Sequence, residues 1–302
     1  MEPQIAFFPV APTSDDRSGL GATPIKLRNV QVERAPKSSA KNSYFLAPTM
    51  GFTGRVTPAS GVYLRGLFAR PGVQDGALFA VFGLTLYRIT SSYGATALGT
   101  IPGTDNVLFD GLRNDLLILG GGYLHVWDGA TLTTVTDVDI SPDLATLAVL
   151  GQRAITSSMG TDQLEWSAVL DATDWPSDGF ATSEIQPDPA IANVVVGDEL
   201  YSLGASTTQI WRAVGGGDAD AFDTFAGAFI TKGCIARDTA QRVDVALMWL
   251  ADDRCVFRTA GPDASRVVNR DVEEALANMT EAEVAASTAW VYTDGSKVFY
   301  VL

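Results

Sequence analysis

A single histidine, two cysteines and a shortage of positive charge set the first limits on this 302-residue chain. With His125 as the only imidazole, a hydrolytic triad would have to pass through one predicted strand, and histidine-rich metal chemistry is excluded by count. Nothing resembling Gly-x-Ser-x-Gly accompanies His125, so it reads as a structural or surface residue. Cys234 and Cys255 are too few for a disulfide framework and lack Cys-x-x-Cys spacing; both read as reduced core residues. Twenty-one bases against 35 acids leave a net charge of -14 and a pI near 4.4. That balance is the opposite of the basic footprint of a protein that grips nucleic acid over its whole body. Long apolar runs are missing too. Mean hydropathy is +0.13, yet stretches such as Ala246–Leu250 fall far short of the roughly 20 residues of a membrane-spanning helix. The first residues, MEPQIAFFPV, place Glu2 where a leader would carry bases, so no secretory signal is read and synthesis in the host cytoplasm is expected.

What charge there is lies unevenly. Residues 1–70 hold nine bases against four acids, a net +5, and the other 232 hold 12 against 31, a net -19. Within the first part, residues 11–60 are rich in Pro, Ser, Thr, Gly and Ala without apolar periodicity, the composition of an extended arm. We therefore expect a basic N-terminal arm over 1–60 and a second region over 61–302. Arg17, Lys26, Arg28, Arg34, Lys37 and Lys41 are the arm's candidate partner-binding residues.

The second region repeats. GALFAVFGLTLYRIT, NDLLILGGGYLHVWDG, GQRAITSSMGTDQLEW, GDELYSLGASTTQIW, DVALMWLADDRCVFRTAG and STAWVYTDGSKVFYVL each read as strand, polar or glycine-rich turn, strand. Aligned on Leu78, Leu116, Ala154, Leu200, Leu247 and Trp290, they recur every 38 to 47 residues, the period of a four-stranded propeller blade. The repeats fall near 77–98, 106–136, 144–175, 191–230, 233–270 and 288–302. The second shows four β-favourable runs, 107–109, 115–119, 123–127 and 132–135, separated by Asp-Gly, Gly-Gly-Gly and Asp-Gly-Ala, residues that suit hairpin turns with positive φ. The fold class expected is all-β, a six-bladed β-propeller. Its innermost strands should be continuously apolar, as Ala246–Leu250 and 194–196 are, and its outer strands should alternate, as Tyr123–Trp127 roughly do. One segment breaks the pattern. Residues 271–287 place Val272, Leu276 and Met279 at helical spacing, and Thr280 with Glu283 makes a capping box, predicting one or two short helices. The sixth repeat lacks an outer strand; either residues 44–47 of the arm close it or a C-terminal part is missing.

Few residues invite chemistry. Gly120-Gly121-Gly122 and Gly215-Gly216-Gly217 lack the Lys-Ser/Thr of a phosphate loop and read as turns. Asp218, Asp220 and Asp223 are loosely spaced like calcium ligands, but the glycine and terminal glutamate of an EF-hand are missing. Glu184 and Asp188 could pair as glycosidase carboxylates, with Asp171, Asp174 and Trp175 upstream, yet no sialidase Asp-box occurs. Trp127-Asp128 matches the WD dipeptide once only. No catalytic residue, metal or cofactor is expected.

The run from Tyr44 onward resembles the tail hub, or packaged-DNA stabilisation, proteins of short-tailed bacteriophages. The carrying segments are GALFAVFGLTLYRI, LGTIPGTDNVLFDGLRNDLLILGGGYLHVWDG, LEWSAVLDATDWPSDGFATSEIQPDPAIANVVVGDELYSLGASTTQIW, KGCIARDTAQ and DDRCVFRTAGPDASRVVNRDVEEAL. The arm keeps only fragments of the family's usual N-terminal segment, such as Asn29-Val30, and family members usually run further at the C-terminus. The resemblance implies a structural, non-enzymatic virion component of tail or neck. It would form a homo-oligomeric ring, sixfold in that family, below portal and adaptor, extend the DNA channel without specific DNA binding, and attach plug, needle or fibres. The alternative from a different class is a carbohydrate-binding or glycosidase propeller for host adsorption. Aromatics and acids clustered at one axial mouth would favour the alternative; an uncommitted mouth would favour the ring.

Overall fold

A computed structural model describes residues 30–34, 44–48, 54–56, 58, 62–182, 187–267, 270–294 and 297–302. The chain divides into two compact units, Met1–Gly54 with Val268–Asn278, and Arg55–Val267 with Met279–Leu302. In the first unit, β1 (Val30–Arg34) and β2 (Tyr44–Pro48) form an antiparallel two-stranded sheet, in register from Val30 opposite Pro48 to Arg34 opposite Tyr44. The same unit holds helix α1 (Arg270–Ala277). Residues 44–47, one option for closing the sixth repeat, thus find their partner in β1.

The second unit is a succession of antiparallel meanders. The first comprises β3 (Leu64–Phe68), β4 (Leu78–Phe82), β5 (Thr85–Ile89) and β6 (Ala95–Thr100). The second comprises β7 (Leu108–Leu112), β8 (Asp115–Gly120), β9 (Tyr123–Trp127) and β10 (Leu132–Thr134). In the third are β11 (Leu144–Leu150), β12 (Arg153–Ser158), β13 (Gln163–Trp166) and β14 (Phe180–Thr182). The fourth holds β15 (Ala190–Val196), β16 (Glu199–Gly204), β17 (Thr208–Ala213) and β18 (Phe222–Ile230). The fifth holds β19 (Gln241–Val243), β20 (Ala246–Leu250), β21 (Val256–Thr259) and β22 (Ala264–Arg266), and a two-stranded hairpin, β23 (Trp290–Asp294) and β24 (Lys297–Val301), follows. Within each sheet the spatial order is the chain order, and the first strand of each packs against the first strand of the next. This is the blade arrangement of a β-propeller.

The core lies between successive blades. In β8, Leu116 and Ile118 join an apolar cluster with Phe79, Val81 and Leu86 of the first blade. Leu117 and Leu119 point the other way, into a cluster with Leu144, Leu147 and Ala154 of the third. Alternate side chains leave opposite faces of a strand, so a strand sandwiched between two neighbours must be apolar throughout. Two further clusters repeat the arrangement between blades three and four, around Trp166 and Phe222, and between four and five, around Trp249 and Phe257.

Continuous burial therefore marks the second strand of a blade, not the innermost one as expected from sequence. Every residue of β12 is buried, and all but the first of β8 and β16. The stretch Ala246–Leu250 is a second strand, while first strands such as β3 and β7 are only partly covered because one edge faces the axis. Residues 124–127 of β9 are all buried rather than alternating, since third strands are still sandwiched; exposure appears at the fourth, as in β10 and β22. The sixth hairpin also shifts by one place. β23 and β24 both pack against β19, so Trp290 opens a first strand, whereas the other aligned residues lie in second strands.

The predicted helical interruption is present as α1 and α2 (Glu281–Ala285). Thr280 is the N-cap of α2: its side chain accepts from the Glu283 amide, and the Glu283 carboxylate accepts from the Thr280 amide at 2.8 Å. Those amide hydrogen bonds hold the Glu283 carboxyl below its ordinary range.

Candidate functional site

The loops that lead into the first strands converge at one axial mouth. Residues 104–106 precede β7, Ala145 lies in β11, residues 189–191 open β15, and Arg237 and Asp238 belong to a 3-10 turn, Arg237–Thr239, ahead of β19. With Met159, Gly160 and Ala286 they line a cavity of about 550 Å³.

The 3-10 turn is tied to four blades. Asn106, ahead of the second blade, donates its side-chain amide to Asp238 Oδ2 at 2.7 Å, across 132 residues of sequence. The Arg237 guanidinium pairs with Asp238 Oδ1 at 2.9 Å and donates to the carbonyls of Asn106 at 2.9 Å and Ala145, in the third blade, at 3.4 Å. From the sixth blade, the Tyr300 hydroxyl donates to the Thr239 carbonyl at 2.8 Å; the Ala289 amide, just before β23, donates to that of Asp238 at 3.0 Å. Burial raises the Tyr300 hydroxyl above its ordinary pKa. The fifth blade closes the set, Leu250 N–H donating to Thr239 Oγ1 at 3.1 Å. With both Asp238 oxygens accepting and the guanidinium spread over a carboxylate and two carbonyls, the polar groups here are spent on one another. Among the described residues, no aromatic ring lines the mouth, and no cluster of His, Cys, Asp and Glu is placed to hold a metal ion.

The residues singled out from sequence are scattered and structural. His125 is buried in β9, with Nδ1 3.0 Å from Thr134 Oγ1, and desolvation lowers its pKa. Gly120 and Gly121 sit where Ile101 and Pro102 of the preceding blade approach: an added Cβ would come within 2.4 Å of Ile101 and 2.9 Å of the Pro102 backbone, so the glycines serve blade contact. Asp218 pairs with the buried Arg153 guanidinium at 2.6 Å, and its carbonyl accepts from Trp166 Nε1 at 2.7 Å. Asp223 accepts from the Thr224 amide. Asp188 gathers the amides of Ala205, Ser206 and Thr207 in the turn between β16 and β17, which separates it from general acid or base work; Glu184 lies outside the described residues. Asp171 caps Thr173, Trp175 is buried against the Ala172 carbonyl, and Asp128 caps Ala130 and Thr131. Cys234 and Cys255 are buried, with no disulfide.

Of the arm's candidate residues, Arg34 ends β1 and pairs in register with Tyr44, and Arg17, Lys26, Arg28, Lys37 and Lys41 lie outside the described residues. Two bases counted in the +5 segment belong to the first blade. Arg65 is buried and donates to the carbonyls of Asp105, Gly83, Ile101 and Pro102 at 2.7 to 3.0 Å, and Arg70 pairs with Asp110. Sequence reasoning missed the Asn106–Arg237–Asp238 cluster, although Arg237 and Asp238 stand in KGCIARDTAQ, one of the segments that carry the resemblance.

No curated protein matches the sequence. Among solved structures, virginiamycin B lyase from Staphylococcus aureus is similar with a TM-score of 0.51 at 9% identity, over 87% of this chain and 83% of that one. The computationally designed Ika8 protein gives 0.50 at 8% identity, over 82% and 70%. PorZ, a bacterial surface component of the type-IX secretion system of Porphyromonas gingivalis, gives 0.45 at 15%, and the match spans only 28% of PorZ. At such identities the first two likenesses speak for a propeller fold and nothing more. Residues 28–302, by contrast, match the family model Phage_stabilise, described as bacteriophage P22 Gp10, beta-propeller, and the chain belongs to that family of phage structural proteins of the tail.

Proposed function

We propose that this chain is a ring-forming hub or nozzle subunit of the phage tail. It extends the DNA channel below portal and adaptor, helps retain the packaged genome and attaches plug, needle or fibres. The observation that carries the reading is the family match over residues 28–302 joined to a mouth whose polar groups are already paired. A catalytic propeller needs free acids and donors at its mouth to meet substrate; here Arg237, Asp238 and Asn106 meet each other. The carbohydrate-binding alternative loses its support at the same place, since aromatic platforms are missing from the lining among the described residues.

Charge supports a passive wall. The 232 residues after position 70 carry a net -19, which repels phosphate and gives no counterion-release grip on DNA. Retention then works by closing an exit. In this reading the channel belongs to the ring of subunits, in the family's sixfold arrangement, because the mouth of each propeller is crossed by its own hydrogen bonds.

The basic arm docks on an acidic neighbour in the virion through Arg17, Lys26, Arg28, Arg34, Lys37 and Lys41. Electron microscopy of virions and of the purified protein tests the reading: a closed ring on the tail axis is expected. A strict monomer that cleaves surface glycans and is missing from the tail overturns it. For the arm, a chain lacking residues 1–43 should co-assemble more weakly at low salt, and added salt should weaken the full-length chain similarly; unchanged assembly rejects that part.

A further inference from the structure

β24 has the composition of a covered strand and the exposure of an uncovered one. After Lys297 it reads Val-Phe-Tyr-Val, a run of the kind found where both faces are packed. By its contacts with β19 it stands second in its blade, where β4, β8, β12, β16 and β20 stand in theirs. Each of those five is hydrogen-bonded along its outer edge by a third strand. Among the described residues no strand pairs with the outer edge of β24, and Val298 is 41% exposed. The edge carries neither proline nor bulge, and Lys297 alone stands guard at its start, which leaves a flat template for strand addition.

We propose that the sixth blade is completed by the β1–β2 hairpin of a second copy of this chain, which lays its two strands along β24 as third and fourth strands. Two observations select this occupant. Five blades have four strands and the sixth has two, so the deficit is two strands; outside the blades, the described residues hold one two-stranded antiparallel sheet, β1–β2, a form that is marginal in isolation. Charge agrees: residues 1–70 carry +5 and the rest -19, so the arm of one copy is drawn to the body of another. Donation of a terminal element to an identical neighbour is a head-to-tail contact, which closes into a ring when its rotation permits. The proposal requires self-association but no particular stoichiometry and no role in the tail.

Mixed cross-linking tests it. One tagged full-length chain carries Val298→Cys and a second carries a single cysteine in place of Gln31, Glu33, Phe45 or Ala47. Mild oxidation of the mixed, co-refolded pair should give a disulfide-linked heterodimer for at least one of the four, several-fold above a control pair using Val138→Cys, a position 93% exposed and remote from β24 in sequence. A disulfide that forms only when both cysteines share one chain assigns the edge to the chain's own hairpin and overturns the proposal, as does the failure of all four pairs. Independently, Val298→Lys should convert the assembled species to monomers in sedimentation while the thermal transition of the monomer is unchanged; unaltered assembly rejects the idea.

Discussion

Blades one to five and blade six are built from the same hairpin, yet they end differently. In the first five, a fourth strand meets solvent and the second strand is buried between neighbours. In the sixth, the second strand is the last among the described residues, and its apolar side chains are partly bare. At the axis the contrast vanishes, since the Arg237–Thr239 turn binds blades two, three and six as well as its own. The comparison separates two kinds of work: burial between blades holds the body together, polar contacts at the mouth fix its geometry, and the sixth blade's edge is left for association.

The largest test of that separation compares two tryptophans. Trp249 in β20 is fully buried and donates to the Gly233 carbonyl at 2.9 Å, whereas Trp290 in β23 is 43% exposed. Trp249→Ala should cost about 3–5 kcal/mol, the range for a large core truncation. Trp290→Ala should cost well under half of that in the monomer, both read by denaturant unfolding. Equal costs would mean that the sixth blade is packed like the others.

Arg237→Ala removes the charged half of the mouth cluster and should cost about 2 kcal/mol, as expected for hydrogen bonds to a charged group. Asn106→Ala should couple to it in a double-mutant cycle, because the two residues share Asp238. Additive effects would break the picture of one connected cluster.

Alkaline unfolding probes how dry the closed side is. Burial pushes the Cys234 thiol from an ordinary 9.0 up to about 11, so the folded chain keeps a proton that the unfolded chain releases. This contribution to stability is whole below pH 9 and is lost as pH rises toward 11. Cys234→Ala should flatten stability across that window, measured by unfolding at fixed pH values; an unchanged slope would place the pH dependence elsewhere.

Smaller still, Thr280→Ala should cost about 1 kcal/mol through loss of the α2 cap, seen as a lower thermal midpoint.

Much of this architecture was legible in the chain. The hairpins, their glycine turns and the capping box at Thr280 and Glu283 follow from local rules, and local rules act wherever the segment ends up. Depth within a blade was not legible, because β8 and β20 look alike whether they line the axis or lie one strand out; burial there is decided by the blades on either side. The place of the last hairpin was misjudged for the same reason: Trp290 and Leu247 match as hairpin positions, but only packing against β19 shows which strand comes first. The mouth cluster was invisible since Asn106 and Asp238 are each ordinary in their own neighbourhoods. Asp188 misled in the opposite sense: a carboxylate near another acid looked chemical, and the three amides it caps are found only by folding the turn.

The hydrogen bond between Asn106 and Asp238 also sets an order of events during synthesis. A ribosome adding about 5–20 residues per second releases Asn106 roughly ten seconds before its partner exists. During that interval the early blades can stack on one another, each contact being close in sequence and quick to form. The join at the mouth must wait for the fifth blade, and the Tyr300 bond for the final residues of this chain. A product truncated before Arg237 would therefore hold stacked blades around an unfastened centre, and resistance to proteolysis at the mouth would report whether translation had run to completion.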